Sequence, residues 1–250
     1  MKKILLAGES WFIHSIHQKG FDTFNTCTYE EGGATLIAAF QKAGYAVEYQ
    51  PCHIAMNQFP SSAEALGEYA AVVLSDIGSN TLLLSDEVFS RSESVPNRLA
   101  AIADYVRNGG GFAMMGGYMS FAGIEGKAKY SGTPIEGILP VGVKETDDRV
   151  EAPQGVAVEI VREHGILKGV KTPVPPLLGY NLLLEKDAAD VLVRTESGDI
   201  IAAAKEVGKG RSFVFASDIA PHWAPPQFVS WDGYDVLFGN VARYICGDMV

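Results

Sequence analysis

The chain has 250 residues, of which 47% are hydrophobic, and a formal net charge of −10 at pH 7. This size and composition predict one ordered globular domain over residues 1–250, because enough apolar surface can be buried to offset the ordering entropy. The acidic balance, with Lys and Arg scattered along the chain, disfavours nucleic acid and anionic membrane surfaces as partners. No stretch reaches the ~20 apolar residues needed to span a bilayer.

The cysteine usage is typical of a reducing cytoplasm. The three cysteines, Cys27, Cys52 and Cys246, are odd in number and far apart, so neither a disulfide framework nor a Cys-x-x-Cys motif is predicted. The apolar run at the N-terminus is short and is interrupted by Gly8 and Glu9, which is not typical of a secretory signal. We therefore expect a cytoplasmic protein.

The first half of the chain predicts alternating strands and helices, because short apolar runs alternate with segments of helical spacing. These elements are a strand over 3–7, a helix over 32–43, a strand over 46–50, a helix over 64–69, a strand over 71–75, a polar loop over 77–95, a helix over 96–108 and a strand over 112–115. This order predicts a doubly wound, mostly parallel sheet of flavodoxin type with right-handed crossovers.

The second half is less regular and predicts an antiparallel extension from about residue 130 to 215. Its elements are a surface excursion over 127–140, a strand over 156–161, one helical turn over 163–169, and antiparallel strands over 191–195, 200–206 and 211–216. Residues 207–210 suit a hairpin turn between the last two strands. A helix over 232–246 closes the chain.

A glycine-rich segment, residues 109–123, predicts a strand that turns into a helix, with Tyr118 at the apex of the turn. Many α/β enzymes hold a nucleophile at such a turn, but a phenol with a pKa near ~10 is a poor nucleophile at neutral pH. Tyr118 could instead donate a hydrogen bond while the amides of the turn hold an oxyanion. The alternative is that its ring fills an emptied nucleophile pocket.

Two further segments, 164–169 (His-Gly-Ile-Leu-Lys-Gly) and 210–216 (Gly-Arg-Ser-Phe-Val-Phe-Ala), together with the terminal helix, resemble trehalose-utilisation-type proteins. Most of the chain resembles the class I glutamine amidotransferase-like superfamily, and within it a "putative glutamine amidotransferase" group. That resemblance implies a flavodoxin-like fold. Members that transfer ammonia carry a Gly-x-Cys-x-Gly turn and a late His-x-Glu pair, whereas this turn is Gly-Gly-Tyr-Met-Ser over 116–120 and no His-x-Glu occurs.

Polar and aromatic residues follow several of the predicted strands, where the ligands of doubly wound sheets bind. His222 is the best candidate for a general base, since an imidazole titrates close to cellular pH, and the resemblance implies a catalytic His near this position. The alternative is a structural imidazole packed on Trp223 and hydrogen-bonded to Asp218. The candidate catalytic residues are His222, Asp218 and Tyr118, and the candidate ligand-binding residues are Ser10, Trp11, Asp76, Gly117, Ser120 and Trp223.

Two other chemistries remain open from the residues alone. His14 and His17 are three apart and would lie together on a helix, so a zinc, iron or manganese site is an alternative, with Asp76, Asp218 and His222 as further ligands. Cys52 beside His53 could form a displaced nucleophile pair. Neither pattern is strong enough for us to assign a metal or a cofactor.

The leading hypothesis is a small-molecule binding protein that lacks glutaminase activity, assembled as a homo-oligomer. The rival is a hydrolase or lyase that uses His222, Asp218 and Tyr118. It predicts that His222 faces a cleft within hydrogen-bond reach of Asp218 or Tyr118. A third hypothesis is a subunit whose site is completed by a partner chain at the aromatic and proline-rich segment 223–231.

Overall fold

A computed structural model describes residues 1–249. The strands are β1 (Lys3–Gly8), β2 (Ser10–Lys19), β3 (Asp22–Glu31), β4 (Ala46–Gln50), β5 (Ala71–Ser75), β6 (Gly111–Met115), β7 (Arg149–Val156), β8 (Val158–Ile160), β9 (Leu177–Asn181), β10 (Asp190–Thr195), β11 (Ile200–Val207) and β12 (Gly210–Phe215). The helices are α1 (Ala34–Lys42), α2 (Cys52–Gln58), α3 (Ala63–Leu66), α4 (Ser79–Leu83), α5 (Asp86–Phe89), α6 (Arg98–Arg107), α7 (Pro134–Ile138), α8 (Pro226–Val229) and α9 (Tyr234–Ile245).

The central sheet has eight strands in the order β4-β1-β5-β6-β12-β11-β10-β8. Five neighbouring strands, β4, β1, β5, β6 and β12, run parallel. Every residue of β5 and β6 is buried, as expected for strands covered on both faces. The predicted flavodoxin-like doubly wound sheet is confirmed, and the chain direction places the carboxyl ends of the parallel strands at one edge.

The antiparallel extension is also present, with one correction. β11, β10 and β8 continue the sheet in antiparallel fashion, and the hairpin between β11 and β12 forms as predicted. β12, however, pairs in parallel with β6 and is therefore the fifth strand of the parallel part. Its sequence signals only the hairpin, because the long-range pairing with β6 leaves no local pattern.

Two segments predicted as surface loops are more ordered than expected. The polar loop over 77–95 contains the short helices α4 and α5. The excursion over 127–140 is wrong as a surface segment, because Ala128, Tyr130 and the apolar side chains of α7 are buried. Two further strands, β7 and β9, form a small separate sheet.

The sequence analysis missed a long hairpin made of β2 and β3, which we call the arm (residues 10–31). Its two strands pair only with each other, and nearly all its residues are exposed. The condition under which His14 and His17 would lie together, a helical segment, is not met, because both lie on β2. Residues three apart on a strand point to opposite faces, so these two imidazoles do not converge.

The remaining helices pack on the sheet through apolar faces. α6 buries Leu99, Ile102 and Val106, and α9 buries most of its length, as their helical spacing predicts. In the part of the chain that the structure describes, no helix is both long and apolar enough to cross a bilayer.

Candidate functional site

Two carboxyl side chains lie at the ends of the neighbouring strands β1 and β5. Glu9 and Asp76 directly follow these strands and adopt the left-handed backbone region, with φ of 48° and 44°. Such conformations are costly for residues other than glycine and are concentrated at functional sites. Glu9 is buried, accepts a hydrogen bond from Ser75 Oγ at 2.5 Å, and its backbone N–H donates to the Ser75 carbonyl at 2.7 Å.

The segment after β6 does not enter a helix, so the predicted strand-to-helix turn is wrong in its second half. Residues 116–123 form irregular turns before a short 3₁₀ turn over 124–126. Two of the amides proposed for an oxyanion are engaged, since Gly117 N–H donates to Asn181 Oδ1 at 3.0 Å and Met119 N–H donates to Asp76 Oδ1 at 2.6 Å. Hydrogen bonds from backbone N–H groups to polar side chains therefore hold this segment in place of a helix.

Gly117 lies between two carboxylates. Its φ is 137°, and a Cβ there would stand 2.7 Å from Asp76 Oδ1 and 2.9 Å from Asp218 Oδ1. Only glycine combines this backbone conformation with so close an approach. The turn therefore lets the carboxyl groups after β5 and β12 lie on either side of one residue.

A buried network fixes this turn from below. Asp148, on the segment before β7, accepts hydrogen bonds from the N–H groups of Ala122 and Gly123, each at 2.9 Å, and from Asn181 Nδ2 at 2.9 Å. Asn181 also donates to the Gly117 carbonyl at 3.2 Å. The small β7–β9 sheet thereby holds the loop that follows β6.

His222 is paired with Asp218 through a hydrogen bond of 2.7 Å between Nδ1 and Oδ2. The same carboxylate oxygen accepts from the backbone N–H of Trp223 at 3.0 Å. Within the described residues, His222 Nε2 makes no hydrogen bond, and the side chain is half-exposed. The pair has the arrangement in which a carboxylate orients an imidazole that transfers a proton.

Tyr118 is held by its ring and by its hydroxyl. The ring makes edge contacts with His222 and Trp223, at centroid distances of 4.6 and 5.4 Å, and Arg149 lies 4.9 Å from its centroid. Its hydroxyl donates to Glu151 Oε1 at 2.9 Å. Tyr118 thus presents a ring to the site, while its phenolic proton is engaged by a carboxylate.

These groups surround a cavity of about 470 Å³ at the carboxyl ends of the parallel strands. Its floor is acidic and its walls are aromatic and apolar, which is the combination expected of a small-molecule site. The lining residues are Glu9, Trp11, Asp76, Tyr118, Asp218, Ala220, Pro221 and His222.

The electrostatics of the cavity are shaped by burial and by close like charges. Burial, and then the neighbouring Asp76, raise the pKa of Glu9 well above its ordinary value. Burial and Asp218 likewise raise the pKa of Asp76. The hydrogen bond to Asp218 raises the pKa of His222. Perturbed pKa values that gather in one cavity are typical of binding and catalytic sites.

The residues predicted for the site fall into two groups. His222, Asp218, Tyr118, Trp11 and Asp76 line the cavity. The other predicted residues support the site. The hydroxyl oxygens of Ser10 and Ser120 accept hydrogen bonds from the N–H groups of Cys52 and Asp76, respectively. Gly117 separates the two carboxylates, and Trp223 packs beneath His222.

Four residues important to this geometry were not among the predicted site residues: Glu9, Asp148, Glu151 and Asn181. The sequence places Glu9 after an apolar strand, among the polar residues at the strand ends, without giving it a role in the site. No spacing links the other three to the glycine-rich turn, since they lie far along the chain.

The other chemistries find little support. Within residues 1–249, no three or more His, Cys, Asp or Glu side chains form a group that could hold a metal ion. Cys52 Sγ lies 3.8 Å from the Asp76 carbonyl, and burial raises the pKa of its thiol. The His53 ring instead packs on Phe12 and Tyr29, so the adjacent Cys52 and His53 serve different contacts.

The raised pKa of Glu9 predicts a pH-dependent stability. Between the ordinary Glu pKa of about 4.3 and the raised pKa, the Glu9 carboxyl keeps its proton in the folded state but loses it in the unfolded chain. The free energy of unfolding therefore falls as pH rises through this range. Glu9→Gln, which keeps a neutral amide in place, should flatten this decline. Urea unfolding at pH 5, 7 and 9 measures the change of the unfolding free energy with pH, and Glu196→Gln, at an exposed residue, is the control. The same slope in Glu9→Gln and wild type would contradict the assignment.

A family model described as "putative glutamine amidotransferase" matches residues 3–247. Two solved structures from Salmonella typhimurium are similar over nearly their full lengths. The cytoplasmic protein STM1381, from strain LT2, is 46% identical, with coverage of 97% of this chain and 99% of that one and a TM-score of 0.93. The cytoplasmic protein STM3548 is 43% identical, with coverage of 97% and 98% and a TM-score of 0.93.

A more distant similarity concerns the fold alone. A ThuA-like protein from Bacteroides uniformis ATCC 8492 is 14% identical over 98% of this chain and 91% of that one, with a TM-score of 0.58. No curated protein matches the chain.

Proposed function

Because this chain belongs to the putative glutamine amidotransferase family, we propose that it binds a small polar molecule in the strand-end cavity and does not hydrolyse glutamine. The observation that carries the proposal is the cavity itself, where Glu9, Asp76 and the Asp218–His222 pair meet the rings of Trp11 and Tyr118. Acidic and aromatic groups that converge on one concave site favour ligands with several hydrogen-bond donors.

The absence of glutaminase activity follows from the chemistry at residue 118. Burial, and then the hydrogen bond to Glu151, raise the pKa of Tyr118, so its phenol is even less able to attack a carbonyl than an ordinary tyrosine. We expect glutamate to form from glutamine no faster in the presence of the protein than in buffer without it. A rate above that background, lost in Tyr118→Phe, would contradict this part of the proposal.

A thermal-shift screen against amines, polyols and amino acids tests the binding part. A bound ligand raises the melting temperature by linkage. We expect at least one compound to shift wild type and to lose its shift in His222→Ala, while His164→Ala, a control imidazole packed against Tyr244, keeps it. Equal shifts in wild type and His222→Ala would contradict the site, and no shift from any compound would contradict the ligand class.

The Asp218–His222 hydrogen bond of 2.7 Å favours a second candidate function, a hydrolase or lyase in which His222 is the general base. Since Asp218 raises the pKa of His222, turnover of a screened ligand should increase with pH above the ordinary His value of about 6.5. A pH-independent rate, or activity retained in His222→Ala, would exclude this role. We further propose that the protein is cytoplasmic, as its two Salmonella relatives are described, and that residues 1–250 form one domain.

A further inference from the structure

The arm is a two-stranded ribbon without a third strand on either edge. Its register runs from Ser10 opposite Glu31 to Lys19 opposite Asp22 without a shift. An isolated hairpin is marginally stable in water and needs packing on one face. Free backbone edges also provide a template for pairing with another chain. The arm therefore has the geometry of an association element.

The arm is also where exposed apolar side chains concentrate. Seven of the fourteen large apolar side chains that are exposed within residues 1–249 lie on it, and Phe21, Ile16 and Phe12 are 107%, 76% and 52% exposed. Together the seven present roughly 800 Å² of surface, if a full large side chain has about 200 Å². The seven residues are Trp11, Phe12, Ile13, Ile16, Phe21, Phe24 and Tyr29.

This area matches what one partner contributes to a stable protein interface, about 800 Å². The apolar groups lie on both faces of the ribbon, since Phe12 and Ile13 are adjacent on β2 and point in opposite directions. Packing against the arm's own subunit therefore cannot cover both faces.

The base of the arm is anchored, while its outer part is not. The rings of Phe12 and Tyr29 contact each other in a tilted arrangement at a centroid distance of 4.9 Å, and both pack on His53 of α2. Trp11 lines the strand-end cavity. Anchoring of the base holds the outer residues in a defined direction, which lowers the entropic cost of association.

We propose that the arm is the contact through which two copies of this chain associate, with the arms antiparallel about a two-fold axis. Charge supports this occupant. Lys19, opposite Asp22 near the tip, is the sole Lys or Arg within residues 10–31, whereas Glu30 and Glu31 lie at the base with no cation on the arm beside them. An antiparallel arrangement brings the tip of each arm to the base of the other, and two-fold symmetry satisfies both contacts at once.

The mass of the purified protein in solution tests the proposal. We expect wild type at about 20 μM, well above the Kd of a stable dimer, to sediment at twice the 26.8 kDa subunit mass or a multiple of it. Ile16→Asp combined with Phe21→Ser should shift the species to the monomer mass. The matched control is Phe89→Ser, which removes a phenylalanine that is 76% exposed from α5, away from the arm, and should leave the mass unchanged.

Two results would overturn the proposal: wild type at the monomer mass, or the arm variant at the mass of wild type. Circular dichroism establishes that the arm variant is folded. If the arm variant is not folded, a second variant replaces residues 13–28 with an Asn-Gly turn, which shortens the ribbon and keeps its anchored base. This second variant should be monomeric. An oligomeric mass for it would equally overturn the proposal. Neither variant alters Glu9 or His222, so the outcome is independent of the ligand proposal.

Discussion

Replacement of Trp223 by alanine is expected to lower the free energy of unfolding by about 3–5 kcal/mol. The side chain is 1% exposed, its indole N–H donates to Glu151 Oε2 at 2.9 Å, and its ring packs against His222. It also covers Gly179, where a Cβ would stand 2.3 Å from Trp223 Cδ1. Its removal therefore leaves a cavity beneath the candidate base and removes the indole hydrogen bond to Glu151.

Thermal and urea unfolding measure this loss, which should lower the melting temperature by roughly 10 °C. Trp231→Ala is the matched control, because that side chain is only partly buried at the edge of the core, against Phe228. Its cost should be less than half as large. Equal losses in the two variants would show that Trp223 does not support the site.

Asp148→Ala should cost about 3–5 kcal/mol of unfolding free energy. The carboxylate is 1% exposed, and its loss leaves the N–H groups of Ala122 and Gly123 and the amide of Asn181 without their acceptor. Buried donors left unpaired cost about 1–3 kcal/mol each, partly relieved by water. The loop after β6 should loosen first, because these bonds hold it.

The neighbouring Asp147→Ala provides the control. Asp147 is more exposed and forms an ion pair with Arg149 at 2.8 Å, and exposed pairs contribute less than about 1 kcal/mol. Urea midpoints measure both changes, and amide hydrogen exchange should increase at Ala122 and Gly123 in Asp148→Ala alone. Similar midpoints for the two variants would contradict the role of the buried network.

The parallel sheet was predictable because each of its strands is a short apolar run bounded by glycine or polar residues. The pattern over 71–75 and 112–115 matches β5 and β6, which are buried on both faces. The pairing of β12 with β6 was not predictable, since it joins segments about 100 residues apart. Parallel pairing is a long-range property that no local window contains.

The arm escaped the sequence analysis for a different reason. A strand is recognised by alternation between a buried and a solvated face, but the arm buries neither face, and Trp11, Phe12 and Ile13 are consecutive. Because apolar residues occur on both faces of the arm, its sequence does not show the two-residue alternation of a strand.

The candidate site was partly predictable. Asp218 and His222 lie four residues apart in a loop bounded by prolines, and their hydrogen bond meets the geometry that the enzyme hypothesis required. The turn around Tyr118 was not predictable beyond its strand, because Asp148 and Asn181 hold it through tertiary hydrogen bonds. These bonds replace the helix that the glycine-rich pattern suggested.

The central claim is that the strand-end cavity binds a small polar molecule. A crystal structure of the protein soaked with the compounds that shift its melting temperature tests this most directly. We predict a bound molecule within hydrogen-bond distance of His222 Nε2 and of the Glu9 or Asp76 carboxyl group. A molecule bound elsewhere, with the cavity between Trp11 and Tyr118 free of ligand, would contradict the claim.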